Sequence, residues 1–256
     1  MGETVTGRVL RVLEAFSAER PELALTELSR RAGLPLTTTH RLVGELAGWG
    51  ALERGEDGRY RVGLRLWEVA ALAPRGLGLR ESAMPFLEDL YEVTRQNVQL
   101  AVLDGTEVVY LERISGRGAV NVITRVGGRL PLHATGVGLV LLANADPELQ
   151  EQVLAAPLKR YTAKTMCHPD DVRRALAEVR RTGVAVSDGQ IELIALSVAA
   201  PVRGRRGDVV AALSVVVPAD TADARAYIPV VRAAARGISR VLGAPEPVGR
   251  AGAPGP

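Results

Sequence analysis

The sequence predicts an α+β fold in two domains. Residues 25–62 read as a helix, a tight turn, a second helix and a two-stranded hairpin. From residue 98 onward the apolar residues change from helical to alternating spacing, and strand hairpins follow without a regular βαβ rhythm. We therefore expect a small N-terminal helical domain that carries a hairpin, followed by a larger domain on a mainly antiparallel sheet.

The N-terminal domain begins with three predicted helices. The spacing of apolar residues predicts the first helix from Val5 to Ala18. Thr26 is a candidate N-cap of the second helix, and Gly33 can adopt the positive φ that ends it. Pro35 suits the first turn of the third helix, where no backbone donor is needed. The buried stripe of that helix is predicted to be Thr39, Leu42, Val43 and Leu46.

A hairpin completes this pattern, because Asp57-Gly58 separates two short alternating segments, 52–54 and 60–62. Two helices followed by such a wing form a winged helix-turn-helix, which places its second helix in the DNA major groove. The exposed face of that helix offers hydroxyls, an imidazole and a guanidinium, and the wing adds two arginines that can reach phosphates. The candidate DNA-binding residues are Thr37, Thr38, His40, Arg41, Arg59 and Arg61.

The remaining elements predict a linker and the larger domain. Residues 64–79 read as a helical linker, and a helix over 79–94 contains Pro85. A further helix opens near Thr135 within 132–145. Strands are predicted at 98–104, 107–114, 120–126, 184–187, 196–203 and 209–217, and helices at 146–156, 170–182 and 221–242. The expected domains are 1–63 for DNA binding, 64–79 as linker, 80–243 as the larger domain, and 244–256 as a Pro/Gly-rich disordered tail.

Charge and composition limit the possible functions. The chain has 256 residues and a net charge of +3, but residues 1–63 hold nine arginines and nine acids and are neutral. A neutral DNA-binding domain predicts modest affinity and therefore a dimer or a larger assembly. Cys167 is the single cysteine, which excludes an internal disulfide. The N-terminus has no signal-peptide pattern, and apolar runs of about ten residues are too short to cross a membrane, so we expect a cytoplasmic protein.

Five stretches are distinctive: LTELSRRAGLPLTTTHRLVGEL, GRYRVGLRLWEVA, LRESAMPFLEDL, GGRLPLHATGVG and LSVAAPVRGRRGDVVAALSV. Through them the chain resembles the IclR (isocitrate lyase regulator) family of transcriptional regulators over about residues 5–243. The resemblance implies a winged helix-turn-helix, an effector-binding domain with a profilin-like or GAF-like sheet, and dimers that often pair into tetramers. It implies no catalysis and no cofactor.

The chain departs from the family pattern at three places. Leu36 and Leu139 stand where family members often have lysines, and residues 192–197 replace a common acidic-Pro-Gly-Val-Arg-Cys run. The pocket is therefore altered, and the effector of a relative cannot be transferred to this chain. The resemblance places the effector site on Ala119, Val122, Leu130, Gly136, Val137, Ser187, Asp188, Ala195, Ser197, Ser214 and Val216.

The stretch around Gly136 and Gly138 suggests what this site binds. Backbone N–H groups at a helix start attract anions, and glycine lets a ligand approach the backbone. Together with small and apolar neighbours, this favours a small organic acid, such as a carboxylate with a short apolar or aromatic body. The alternative is that both glycines serve close packing and that the serines bond to the backbone.

The sequence gives little support for metal binding or for catalysis. Cys167-His168 lies near two aspartates, but no second Cys/His pair has ligand spacing, which favours a loop before a helix over a metal site. No motif of a hydrolase, a metalloprotease or a P-loop is present.

We expect a ligand-responsive transcriptional regulator of a metabolic operon, in particular a repressor of a catabolic operon. Its partners would be double-stranded operator DNA, a small carboxylate and further copies of itself, with no membrane. The alternative is a ligand-binding, protein-interaction module with vestigial DNA binding.

Overall fold

The computed structural model describes residues 4–17, 19–73 and 77–245. The chain divides into two compact units, Met1–Leu77 and Gly78–Pro256, which are described separately below. This division falls inside the predicted linker, 64–79. The predicted disordered tail lies outside the described residues from 246 onward. No helix in the described part of the chain is both long enough and apolar enough to cross a membrane.

The N-terminal unit combines helices with a small antiparallel sheet, whose strand order is β1-β3-β2. Its core is aliphatic and is formed by fully buried residues such as Val12, Leu28 and Leu42. Its helices are α1 (Val5–Glu14), α2 (Leu25–Ala32), α3 (Leu36–Trp49) and α4 (Leu64–Ala70), and its strands are β1 (Glu22–Leu23), β2 (Leu52–Arg54) and β3 (Tyr60–Val62).

Local capping differs from the predictions at the first two helices. Helix α1 ends at Glu14, so its predicted continuation toward Ala18 is wrong for the described residues; Ala18 itself lies outside them. Helix α2 is capped at Ala24 rather than at Thr26, because the Glu27 carboxylate accepts a 3.0 Å hydrogen bond from the Ala24 N–H. This bond holds the pKa of Glu27 below its usual value. The positive φ predicted for Gly33 is confirmed, at 62°.

The C-terminal unit is built on a six-stranded antiparallel sheet of order β6-β5-β4-β9-β8-β7. The α+β prediction with a mainly antiparallel sheet is therefore confirmed. The strands are β4 (Asn97–Asp104), β5 (Glu107–Ile114), β6 (Arg129–Pro131), β7 (Ala185–Asp188), β8 (Ala195–Arg203) and β9 (Val209–Pro218). The helices are α5 (Leu77–Thr94), α6 (Gly136–Ala143), α7 (Pro147–Ala155), α8 (Pro169–Thr182) and α9 (Ala224–Val241), with a 3₁₀ turn at Leu132–Ala134.

Both faces of this sheet are covered, because alternate residues along each strand pack in opposite directions. On one face, Leu213 and Val215 of β9 pack in a cluster with α5 and α9. On the other face, Ala212 and Ala199 pack in a cluster with α6 and α8. Ser197 and Ser214 continue this second face by alternation, and they bring polar groups to it.

The predicted strand at 120–126 is wrong. This stretch has no strand pairing, and the extended pairing with β5 occurs instead at β6. Side chains from the sheet hold the stretch by its carbonyl groups: Asn97 Nδ2 donates to Val120 O at 2.7 Å, and Arg113 Nη1 donates to Thr124 O at 2.6 Å. These bonds take the place of a strand ladder. We call residues 119–126 the wall segment.

Candidate functional site

The recognition helix α3 presents the face that the sequence predicts. Thr39, Leu42 and Val43 are buried in the unit, whereas Leu46, the fourth residue of the predicted stripe, is only half-buried against this core. On the other side, Thr37, His40 and Arg41 are exposed and Thr38 is half-buried. Arg41 forms an i,i+4 ion pair with Glu45 on the same exposed face. The guanidinium that could meet a base edge is therefore also in contact with a carboxylate.

The wing arginines are engaged with acids rather than separated from them. Arg59 Nη1 lies 3.1 Å from Glu27 Oε2, and Arg61 Nη2 lies 3.1 Å from Glu53 Oε2. Both guanidinium side chains remain about half exposed, so these pairs contribute little to stability and can exchange partners. A phosphate that binds either arginine must compete with a carboxylate.

A cavity of about 420 Å³, partly open to solvent, lies in the C-terminal unit beside the start of α6. Its wall combines the α6 side of the sheet with the wall segment and with the loop between β7 and β8. Eight of the residues predicted for an effector site line it: Val122, Leu130, Gly136, Val137, Ser187, Ala195, Ser197 and Val216.

Three other predicted residues are not part of the cavity lining. Ala119 lies in the wall segment, in a turn where its N–H donates to Gly116 O. Asp188 is exposed and forms a 2.8 Å ion pair with Lys164, which holds its carboxylate at the surface. Ser214 is buried in β9 opposite Gln99, and its hydroxyl has no hydrogen-bond partner in the described part of the chain.

The start of α6 leaves backbone N–H groups of the cavity lining without a protein acceptor. Thr135 is the N-cap, and its Oγ1 accepts a 3.1 Å hydrogen bond from the Gly138 N–H. Among the described residues, no protein group accepts from the N–H of Gly136 or Val137, and both residues line the cavity. Two unpaired N–H groups at a helix start favour a negatively charged group.

The glycines at this helix start serve close packing. A Cβ on Gly136 would lie 2.7 Å from Ser197 Oγ, so the missing side chain lets α6 approach β8. A Cβ on Gly138 would collide with the carbonyl of Leu132. The packing alternative predicted from the sequence thus holds for both glycines, and it is compatible with an anion site, because close packing of the α-carbons leaves the N–H groups of Gly136 and Val137 without a protein acceptor among the described residues.

Polar residues that the sequence reading missed also line the cavity. Gln99 Nε2 donates a 2.6 Å hydrogen bond to Thr124 Oγ1, which joins β4 to the wall segment. Burial raises the pKa of Tyr110, so its hydroxyl stays protonated. Glu192 Oε2 accepts a 3.0 Å bond from the Ile123 N–H. The sequence carries a signal for Gln99, since it is a polar residue between the apolar residues Val98 and Leu100 of a strand.

The residues once considered for a metal have structural roles. Cys167 Sγ contacts Thr165 O, and His168 occupies the N-cap position of α8. Within residues 4–17, 19–73 and 77–245, no group of His, Cys, Asp and Glu side chains could hold a metal ion.

The chain joins a winged helix-turn-helix unit to an α+β unit that contains a cavity. This is the plan of a ligand-responsive transcription regulator. The family models agree with this plan: the IclR helix-turn-helix domain matches residues 5–56, and the domain described as "Bacterial transcriptional regulator IclR C-terminal" matches residues 72–240. The chain belongs to the IclR family of DNA-binding transcriptional regulators.

Individual relatives are similar over nearly the whole chain. The HTH-type transcriptional regulator XynR of Escherichia coli (strain K12) is 32% identical over 243 residues, which are 93% of this chain and 96% of XynR. The transcriptional repressor IclR of the same organism is 30% identical over 215 residues, 82% of this chain and 78% of that protein. An IclR homolog from Microbacterium hydrocarbonoxydans, solved in complex with 4-hydroxybenzoate, is 44% identical with a TM-score of 0.89, covering 93% of this chain and 99% of its own. These relatives are regulators and not enzymes.

Proposed function

We propose that the chain is a repressor of a catabolic operon and that a small aromatic carboxylate controls its binding to operator DNA. The observation that carries this proposal is the cavity lined both by two unpaired helix N–H groups, at Gly136 and Val137, and by aliphatic and polar side chains. Support also comes from the Microbacterium homolog, whose structure holds 4-hydroxybenzoate. The repressor role is supported by the similarity to the transcriptional repressor IclR.

The lining of the cavity suits a single aromatic ring, because aliphatic side chains stand beside a few polar groups that can orient a ligand. In the proposed pose the carboxylate accepts hydrogen bonds from the N–H groups of Gly136 and Val137. The ring then packs against Val122, Leu130 and Val216, which are three of the aliphatic residues in the lining.

Operator binding is proposed for the exposed face of α3 and for the wing. Arg41 with Thr37, Thr38 and His40 would contact base edges and nearby phosphates, while Arg59 and Arg61 would contact phosphates. Because the N-terminal 63 residues are neutral, we propose that a homodimer or homotetramer binds the operator. A regulator of this kind acts where the chromosome is, in the cytoplasm.

Calorimetric titration of the full chain tests the effector. We expect 4-hydroxybenzoate and benzoate to bind, and 4-hydroxybenzyl alcohol, which lacks the carboxylate, to bind at least tenfold more weakly, because charged hydrogen bonds are about twice as strong as neutral ones. The substitution Ala195→Leu fills the cavity and should remove binding. Ala226→Leu, at an exposed position of α9, is the matched control and should leave it unchanged. Equal affinities for the alcohol and the acids would refute the proposal that the site recognises a carboxylate.

The second candidate function is a ligand-binding, protein-interaction module with vestigial DNA binding. The neutral charge of residues 1–63 is the observation that favours it. A gel-shift experiment with genomic fragments flanking the protein's own gene separates the two. A specific complex that 4-hydroxybenzoate releases supports the repressor, whereas ligand binding without any DNA complex supports the module.

A further inference from the structure

A second cavity in the C-terminal unit lies between α9, the end of β8 and the turn that follows β8. It measures about 1520 Å³, much of it open to solvent. Four arginines line it, and no acidic side chain of the described residues does. We call it the arginine groove, after Arg203, Arg232, Arg236 and Arg240. It shares no lining residue with the proposed effector cavity.

Three of these arginines form a row along one face of α9. Arg232, Arg236 and Arg240 are spaced i, i+4 and i+8, so successive guanidinium groups are neighbours. The row spans about 12 Å, at a rise of about 1.5 Å per residue. Like charges at this spacing destabilise a helix unless something neutralises them.

Elsewhere in the same unit such charges are neutralised. In α8, Arg173, Arg174 and Arg181 each form an ion pair with an aspartate or a glutamate. In α9, by contrast, Arg236 and Arg240 have neither an ion pair nor a side-chain hydrogen bond within residues 4–17, 19–73 and 77–245. Arg236 and Arg240 therefore lack the acidic partners that the arginines of α8 have.

The other two arginines are held in place by backbone carbonyls. Arg232 Nη2 donates to Thr182 O at 2.8 Å, and Arg203 Nη1 donates to Gly207 O at 2.8 Å. Each bond uses one N–H of the guanidinium and leaves the others for a ligand. Ser239 Oγ accepts from the Arg203 N–H at 2.9 Å, which ties the end of β8 to α9. The groove therefore has two oriented and two unpaired guanidinium groups.

We propose that the arginine groove binds an oligophosphate, such as the triphosphate of a nucleotide or inorganic tripolyphosphate. Guanidinium groups bind phosphate oxygens through paired hydrogen bonds, and a row of them matches a chain of phosphates better than a single carboxylate. The groove is concave and the row is short, which favours a small ligand over the convex surface of a DNA duplex. Pro201, Ala244 and Pro245, which are half-buried or exposed, also line the groove and offer an apolar surface for a base.

Calorimetric titration of the full chain with inorganic tripolyphosphate and with ATP, at about 150 mM salt, tests the proposal, since this salt concentration screens weak surface attraction. The double variant Arg236→Gln/Arg240→Gln should bind both probes at least tenfold more weakly. The matched control is Arg117→Gln/Arg160→Gln, which removes the same charge from two exposed arginines of this unit and should retain wild-type affinity. An unchanged melting temperature shows that the double variant is folded.

The outcomes are distinct. Tighter binding of ATP than of tripolyphosphate would support the proposal and identify a nucleotide as the ligand. Equal affinities would also support the proposal and show that the groove recognises the phosphate chain alone. The proposal is wrong if neither probe binds at millimolar concentration, or if the control weakens binding as much as the double variant. It is also wrong if a polyglutamate peptide or a random DNA duplex binds the groove more tightly than either probe. None of these results depends on the aromatic effector.

Discussion

At Gly136 a single missing side chain sets the distance between α6 and the sheet. Because a Cβ there would lie 2.7 Å from Ser197 Oγ and 3.3 Å from Ser197 Cβ, Gly136→Ala must rotate the Ser197 hydroxyl and push α6 and β8 slightly apart. We expect a loss of about 1–3 kcal/mol in the stability of the C-terminal unit, as for other overpacked sites. Hydrogen–deuterium exchange of β8 and β9 under native conditions measures this loss.

Two further variants show whether the contact itself is responsible. Ser197→Gly removes the opposing atoms, so the double variant Gly136→Ala/Ser197→Gly should recover part of the lost protection. Gly78→Ala is the matched control, since it adds the same methyl group to a helical glycine of the same unit with no atom within 4 Å. Equal losses at Gly136 and Gly78 would contradict the packing explanation.

His133 should make the C-terminal unit sensitive to acid. Its side chain is buried beside the Lys159 carbonyl, and burial lowers its pKa below the ordinary value of 6.5. The unfolded chain therefore binds a proton at a higher pH than the folded chain does. Stability is complete above about pH 6.5 and declines as the pH falls below it.

The measurement compares the melting temperature of the C-terminal unit at about pH 7.5 and pH 5.5. The variant His133→Gln retains a donor for the Lys159 carbonyl. Its melting temperature should fall less on acidification than that of the wild type. His40→Gln, at an exposed position of α3, should keep the wild-type decline. An identical decline in all three proteins would assign the acid sensitivity to other groups.

Arg41 and Glu45 together should set the affinity of α3 for DNA. If Arg41 contacts a base edge, Arg41→Ala should weaken binding to the preferred duplex by about 1–3 kcal/mol. Glu45 holds the same guanidinium in the free protein, so Glu45→Gln should strengthen binding modestly. Both effects can be measured by fluorescence anisotropy on a duplex selected from random-sequence DNA. Unchanged affinity in Arg41→Ala would remove Arg41 from the interface.

At the scale of the element, the wing is predicted to bind phosphates without reading sequence. Arg59→Gln or Arg61→Gln should weaken all duplexes about equally and reduce the salt dependence of binding by about one unit of slope. Because both arginines are paired with acids in the free protein, phosphate binding must break these pairs, and the loss is therefore smaller than for an unpaired arginine. A change in base preference at constant salt slope would show that the wing contacts bases instead.

Elements with strong local signals were predictable from sequence. Gly33 and the Asp57-Gly58 turn specify their conformations through neighbouring residues alone, so the helix-turn-helix and its hairpin were placed correctly. The two-residue strand β1 is too short to show alternation. Residues 120–126 do alternate, yet Asn97 and Arg113 hold this stretch by its carbonyls, and no local pattern reveals such a distant partner.

The cavity residues divide in the same way, into those that local sequence patterns predict and those that only the folded chain brings together. The helix start at Gly136 was visible in the sequence, and the family resemblance supplied the strand positions. Gln99, Tyr110 and Glu192 enter the lining only because strands β4, β5 and the β7–β8 loop converge there. Ser214 illustrates the opposite error, since it lies on the correct face of the sheet but beneath the cavity wall.

At the scale of the whole molecule, we predict that the protein binds palindromic DNA as a dimer. One neutral DNA-binding unit per chain provides little electrostatic affinity, so two must act together. Two-fold symmetry then predicts half-sites centred about 34 Å apart or a multiple of that distance. Light scattering of the free protein and footprinting of the selected duplex measure both features. A monomer that protects a single half-site at full affinity would contradict the prediction.

The attachment of the wall segment has a consequence for how this protein can evolve. Asn97 and Arg113 bind the carbonyl oxygens of Val120 and Thr124, and every amino acid supplies such an oxygen. Mutations in the wall segment can therefore replace the side chains that face a ligand while these two attachments persist. New ligand preferences can arise there without rebuilding the sheet, which makes residues 119–126 the natural place to begin when the protein is engineered as a sensor for a different molecule.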